Sequence, residues 1–298
     1  MLNEIEMNMN ALNQAQQSKD SDFVLRCFRQ CAESYPSVIS YTNWAFYDYY
    51  ENCEHSAHAF LIGFRLYRIQ QRLHKALRHS KHNCTYALLA KIEAKKHKYE
   101  QALQYISKAY DILQIDEYLF CKASYLFRVK QYQAAANVFL RLFETTDSIT
   151  SYAAYGVCMA HLGIDKQAIQ CAIYLRKLAL TGDDDVDAVA VLLIYCLLNM
   201  PEDVIAAYSD ITNMSRESKE LSLYKFWALG VTGKNIDADA FLLYLSKETE
   251  ESFDESVVPH MIKGYKEAYY NAYQKHYFPR TYFPIEPFIN YYIYPTSS

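Results

Sequence analysis

The chain has 298 residues and a formal net charge of −4, so bulk charge argues neither for nor against a nucleic-acid partner. Only 7 Gly and 7 Pro accompany 51% hydrophobic residues, which points to few turns and many helices, without the strand scaffold of the common enzyme sites. No apolar run reaches about 18 residues and Met1–Glu6 lacks a basic region followed by an apolar run, so neither a membrane span nor a secretory signal is expected.

Residues 2–17 predict a first helix. Asp20 or Ser21 caps a second at 22–34, which Tyr35-Pro36 ends. A third, at about 38–51, carries Trp44, Phe46, Tyr47, Tyr49 and Tyr50, and its partner is expected from near Glu54 to His79. From Leu61 to Lys98 there are ten Lys or Arg against Glu93 alone. Arg65, Arg68, Arg72 and Lys75 recur at three- and four-residue steps and so share a helix face. This face is either simply solvated or set to meet an anion: an acidic peptide, an acidic protein patch or RNA. It lacks the interleaved aromatics that single-stranded nucleic acid needs, so nucleic acid ranks below protein.

The stretch Tyr86–Leu180 holds three helical hairpins offset by 33 residues. Tyr99-x-x-Ala102 and Ala109 set the first register, Tyr132-x-x-Ala135 and Leu142 the second, Asp165-x-x-Ala168 and Leu175 the third. Two antiparallel helices with short turns take about 34 residues, and one such pair cannot bury its apolar face alone. Small residues fall where helices must cross: Ala90 and Ala102, Ala123 and Ala135, Gly156 and Ala168. Ile106, Phe139 and Leu175 fill the gap to the next pair, and Gly163-Ile164-Asp165 supplies a tight turn.

This pattern resembles the tetratricopeptide repeat (TPR). The family's opening Trp is replaced by Tyr86, Leu119 and Tyr152, and Gln114 stands where the first closing Pro would be. The resemblance implies an all-α fold, a right-handed α-solenoid of stacked antiparallel helix pairs. It implies a concave groove lined by the first helix of each pair: Lys91, Lys95, Phe120, Ser124, Phe127, Arg128, His161, Leu193, Tyr224 and Trp227. An aromatic floor with a basic entrance suits an extended or helical partner segment with apolar anchors and some acidic residues. The function so implied is a protein-interaction scaffold, adaptor or chaperone in the cytoplasm. The alternative is a nucleic-acid-binding regulator using the basic surface of residues 65–98. The Asn residues of the Lys/Asn clamp, with which co-chaperones grip a chaperone's C-terminal carboxylate, are missing.

A fourth hairpin is expected at 186–212, with Pro201 in its turn and Val204 in place of the small residue, and a fifth at about 219–247. A helix at about 254–276 is expected to cap the array. The tail, 277–298, holds four Pro and eight aromatics, so it is extended and apolar. It lies along the protein's own helices, in or near the groove, or docks on a partner. The organisation expected is atypical hairpins at 1–82, TPR-like repeats at 83–250, a capping helix at 251–276 and the extended tail. Homodimerisation through the aromatic N-terminal helices or the tail is open.

Cys27, Cys31, Cys53, His55 and His58 contain enough ligands for a zinc tetrad, but there is no CxxC pair, and incidental Cys and His in helices is the better reading. The eight Cys read as reduced core thiols. His74, His79 and His82 flank basic residues and read as surface. There is no Gly-rich phosphate loop, GxSxG or HExxH. No catalytic residue, metal or cofactor is expected. The 29 Tyr suit recognition surfaces.

Overall fold

The structure, a computed structural model, describes residues 2–54, 62–180, 188–212, 219–278 and 289–294. Among these the chain is all-α. It divides into two units, 1–130 with 286–298, and 131–285.

In the first unit, α1 spans Leu2–Gln17, α2 Ser21–Ser34 and α3 Val38–Asn52. The starts follow from capping chemistry. The Asp20 carboxylate accepts from the Phe23 N–H at 2.9 Å, and Ser37 and Ser40 form a reciprocal capping box. At the end of α3 the N–H groups of Cys53 and Glu54 both turn back to the Tyr49 carbonyl, at 2.8 and 3.0 Å. The chain therefore leaves the helical path here. Of the helix expected from near Glu54 to His79, residues 55–61 lie outside the described residues, and α4 spans Gly63–His79. Ala11, Leu12, Val24, Phe28 and Tyr47 bring α1, α2 and α3 into one apolar cluster. α4 turns Leu66, Ile69, Leu73 and Ala76 inward.

The repeat follows without interruption. α5 is Asn83–Lys95, α6 Tyr99–Ile112, α7 Asp116–Arg128, α8 Tyr132–Thr146, α9 Ile149–His161 and α10 Asp165–Leu180. Equivalent helices start 33 residues apart, as the sequence pattern requires. Ala90, Ala102, Ala123, Ala135 and Ala168 are fully buried, as are Phe139 and Leu175. Gly156 is the tightest point: a Cβ there would lie 2.7 Å from the Cys171 Cβ and 2.9 Å from the Ile194 Cδ1.

The turns within the pairs share one device. His97, Lys130 and Gly163 take left-handed φ angles of 59°, 61° and 69°, at the same 33-residue spacing. Asn199 and Gly233 repeat it at 55° and 69°. One left-handed residue lies between the two helices of each pair, although only two of the five are Gly.

The second unit continues with α11 (Ala188–Leu197), α12 (Pro201–Thr212), α13 (Lys219–Val231), α14 (Asn235–Ser252) and α15 (Val258–Ala268). α11 is buried from Ala190 to Cys196, nearly all round, because α9, α10, α12 and α13 enclose it. Pro201 is not in the turn but is the first residue of α12, where its missing N–H costs nothing. The closing helix is shorter than expected and widens into a π-helical turn over Tyr269–Gln274. That turn rests on α13, where a Cβ on Gly230 would meet the Tyr273 carbonyl at 2.8 Å.

Candidate partner-binding surfaces

The groove positions named by the sequence pattern are placed as follows. Lys91 ion-pairs with Glu54 at 2.7 Å, and the Lys95 ammonium donates to the Glu54 carbonyl at 2.8 Å. Both lysines thus tie α5 to the end of α3. Phe120, Ser124, Phe127, Leu193, Tyr224 and Trp227 are buried. Arg128 is half-buried, with its guanidinium 5.5 Å from the Tyr99 ring centre. His161 stacks on Tyr132, centroids 4.5 Å apart and planes 4° from parallel. Tyr224 and Trp227 meet Phe278, which leaves the π-helical turn and sets its ring edge-on to Trp227 at 4.9 Å.

The described end of the tail lies on α2 and α3. Ile289, Tyr291 and Ile293 are buried while Asn290 and Tyr294 are exposed, the period-two alternation of an extended strand, from which only Tyr292 among these six departs by packing half-buried on Phe46 and Phe28. Its main chain is held by one side chain. The Asn43 Nδ2 donates to the Ile293 carbonyl at 3.0 Å, and the Ile293 N–H donates to the Asn43 Oδ1 at 2.7 Å. Asn43 thus replaces a neighbouring strand for that residue. The Tyr291 and Tyr292 rings stand edge-on to Phe46 at 5.3 and 4.5 Å, and Tyr292 stacks over Phe28 at 6.1 Å. Burial raises the Tyr292 hydroxyl above its ordinary pKa. Nothing in the sequence pattern singled out Asn43. The only signal was an amide set in the middle of a helix otherwise rich in aromatics.

The basic residues of α4 separate into two groups. Arg65, Arg68 and Arg72 join Arg26 and Arg29 of α2 around a cleft of about 440 Å³, also lined by Asp22, Leu25, Trp44, Asp48 and Phe64. Lys75 is exposed and is not part of the lining. Asp48 is buried and receives both the Arg65 Nε, at 2.9 Å, and Arg72. The Arg72 guanidinium lies 3.8 Å from the Trp44 ring centre, a cation–π contact that α3 sets up by placing Trp44 and Asp48 one turn apart. Burial lowers the Arg72 pKa, and the Asp48 carboxylate opposes that. The sequence missed α2's part in this cleft, although Arg26 and Arg29 are spaced to share a face.

All eight cysteines are thiols, and Cys27 alone is not fully buried. Burial pushes Cys31 and Cys53 up to about 11, opposite to the shift a reactive or metal-bound thiolate needs. His55 and His58 lie outside the described residues. Among the described residues no three His, Cys, Asp or Glu side chains gather as metal ligands. His82 is not a plain surface residue: its Nδ1 accepts from the Cys84 N–H at 3.2 Å and caps α5. Among the described residues no helix is long and apolar enough to cross a membrane.

No family model matches the chain, and no curated protein matches it. Solved structures do. A tetratricopeptide repeat protein from Parabacteroides merdae ATCC 43184 is similar with a TM-score of 0.63 at 12% identity, over 89% of this chain and 100% of that one. The APC/C hetero-tetramer Cut9-Hcn1 gives a TM-score of 0.49 at 15% identity, over 76% of this chain and 46% of that one. With its stacked antiparallel helix pairs, the chain has the TPR-like fold of an all-α helical-repeat solenoid.

Proposed function

We propose that this protein is a protein-interaction scaffold that holds a partner polypeptide in extended form against its helices. The observation that carries the reading is the seating of Ile289–Tyr294 on α2 and α3. There a helix side chain satisfies the main chain of an extended segment, and alternate side chains enter apolar ground. Main-chain capture gives affinity without regard to sequence, and pockets for alternate residues give selectivity. The tail is the resident occupant, and a partner segment with the same alternation replaces it. The adaptor works without chemistry of its own and in the cytoplasm, where its thiols stay reduced.

Selection of random displayed peptides on the full-length chain tests this. The bait carries Ile293→Pro, which removes the N–H that Asn43 accepts. Enriched peptides should place aromatic or branched aliphatic residues at every second position, and Asn43→Ala in the same bait should abolish their enrichment. Absence of enrichment, or equal enrichment with Asn43→Ala, would overturn the reading.

A further inference from the structure

The cleft between α2, α3 and α4 concentrates five guanidinium groups around about 440 Å³. Arg26 and Arg29 are one turn apart on α2, and Arg65, Arg68 and Arg72 follow one face of α4. Their acidic neighbours, Asp22 and Asp48 in the lining and Glu33 beside Arg29, are too few to balance five guanidiniums. Asp48 serves Arg65 and Arg72, and Glu33 serves Arg29 at 2.8 Å. Arg26 and Arg68 have no ion-pair partner among the described residues. Like charges held this close oppose the fold unless an anion joins them.

Two features point to a small, concentrated anion. Arg72 is fixed in place by Asp48 below and the Trp44 face beside it, so its remaining N–H donors are oriented before any ligand arrives. The volume suits one side-chain-sized group and is too small for a nucleic-acid duplex. A phosphate monoester brings nearly two charges and three acceptor oxygens, matching the two guanidinium charges that Asp22, Asp48 and Glu33 leave over, whereas a carboxylate brings one charge and two oxygens. At the rim Phe64 is 76% exposed and offers an apolar contact to a residue flanking the phosphate. We infer that the α2–α4 cleft binds a phosphorylated side chain of a partner polypeptide. That the phosphate comes on a polypeptide rests on the scaffold reading above, but recognition of phosphate does not. The site is also separate from the tail's seat. Trp44 and Asp48 lie on a different face of α3 from Asn43 and Phe46.

The test is fluorescence anisotropy with the full-length wild-type chain. The probes are a short labelled Gly/Ala peptide with a central phosphoserine, its serine twin, its aspartate twin, and a labelled short oligothymidylate. The phosphopeptide should bind at least ~10-fold tighter than either twin. Inorganic phosphate should displace it. Arg26→Ala and Arg68→Ala, both at exposed positions that leave folding intact, should each weaken it by ~10-fold. Lys75→Ala should not. Equal binding of the three peptides, or indifference to Arg68→Ala, would overturn the site. Oligothymidylate binding that depends on Arg68 and that phosphopeptide cannot displace would make it a nucleic-acid site instead. Arg68-dependent binding of inorganic phosphate by titration calorimetry, with no phosphopeptide binding, would overturn the polypeptide source. Failure of the peptide selection would leave the phosphate result standing and remove only the scaffold.

Discussion

Gly156 of α9 and Cys171 of α10 are packed so closely that a single added methyl group has no room, since its carbon would sit 2.7 Å from the Cys171 Cβ. Ile194 of α11 closes the other side at 2.9 Å. Three helices converge on one hydrogen atom. Gly156→Ala gains up to about 1 kcal/mol of helix propensity but costs about 1–3 kcal/mol through overpacking, so a net loss is expected. Gly63→Ala is the control, with nothing within 4 Å of its Cβ. Urea unfolding should place the Gly156→Ala midpoint below wild type and the Gly63→Ala midpoint at or above it.

The left-handed turn residues make a second prediction. Lys130 holds φ at 61°, a region that costs a residue with a Cβ about 1–2 kcal/mol and Gly nothing. Lys130→Gly should therefore raise stability by several tenths of a kcal/mol to ~1 kcal/mol, after the entropy that Gly adds to the unfolded chain. Gly163→Ala, at a φ of 69°, should lower it. A higher midpoint for the first and a lower one for the second would confirm the shared turn.

His82 gives the fold a pH dependence of known sign. Burial lowers its pKa below the ordinary value of 6.5, and its neutral Nδ1 caps α5. The unfolded chain then takes up the proton first. Stability is full above about pH 6.5 and falls as the pH drops from there through the folded-state value. His82→Asn keeps a cap acceptor and removes the titration. Its unfolding midpoint should change less between about pH 7.5 and 5.5 than that of the wild-type chain.

The repeat was legible because its spacing is enforced by sterics. Ala102, Ala135 and Ala168 must be small where helices cross, so the 33-residue period survives in the letters themselves. Glycine marks the turns at Gly163 and Gly233, whereas His97, Lys130 and Asn199 adopt left-handed φ without the residue that advertises it. Helix faces were harder to read. Phe120, Ser124, Phe127, Tyr224 and Trp227 were expected to face a groove and are buried. The first helix of a pair touches neighbours on several sides, and periodicity alone does not separate an open apolar face from a covered one. Asn43, Asp48 and Arg26 were illegible as site residues for another reason. Their roles depend on which distant segments arrive beside them, Ile293 for the first and α4 for the others.

The central claim is that the α2–α3 face receives an extended segment through Asn43. Its most direct test is the affinity of a labelled peptide with the sequence Ile289–Tyr294 for the full-length chain. The resident tail acts at high effective concentration, so the peptide should bind Ile293→Pro protein at least ~10-fold tighter than wild type. Adding Asn43→Ala should remove that binding. Equal affinity for the wild-type and Ile293→Pro chains, or binding that survives Asn43→Ala, would contradict the account.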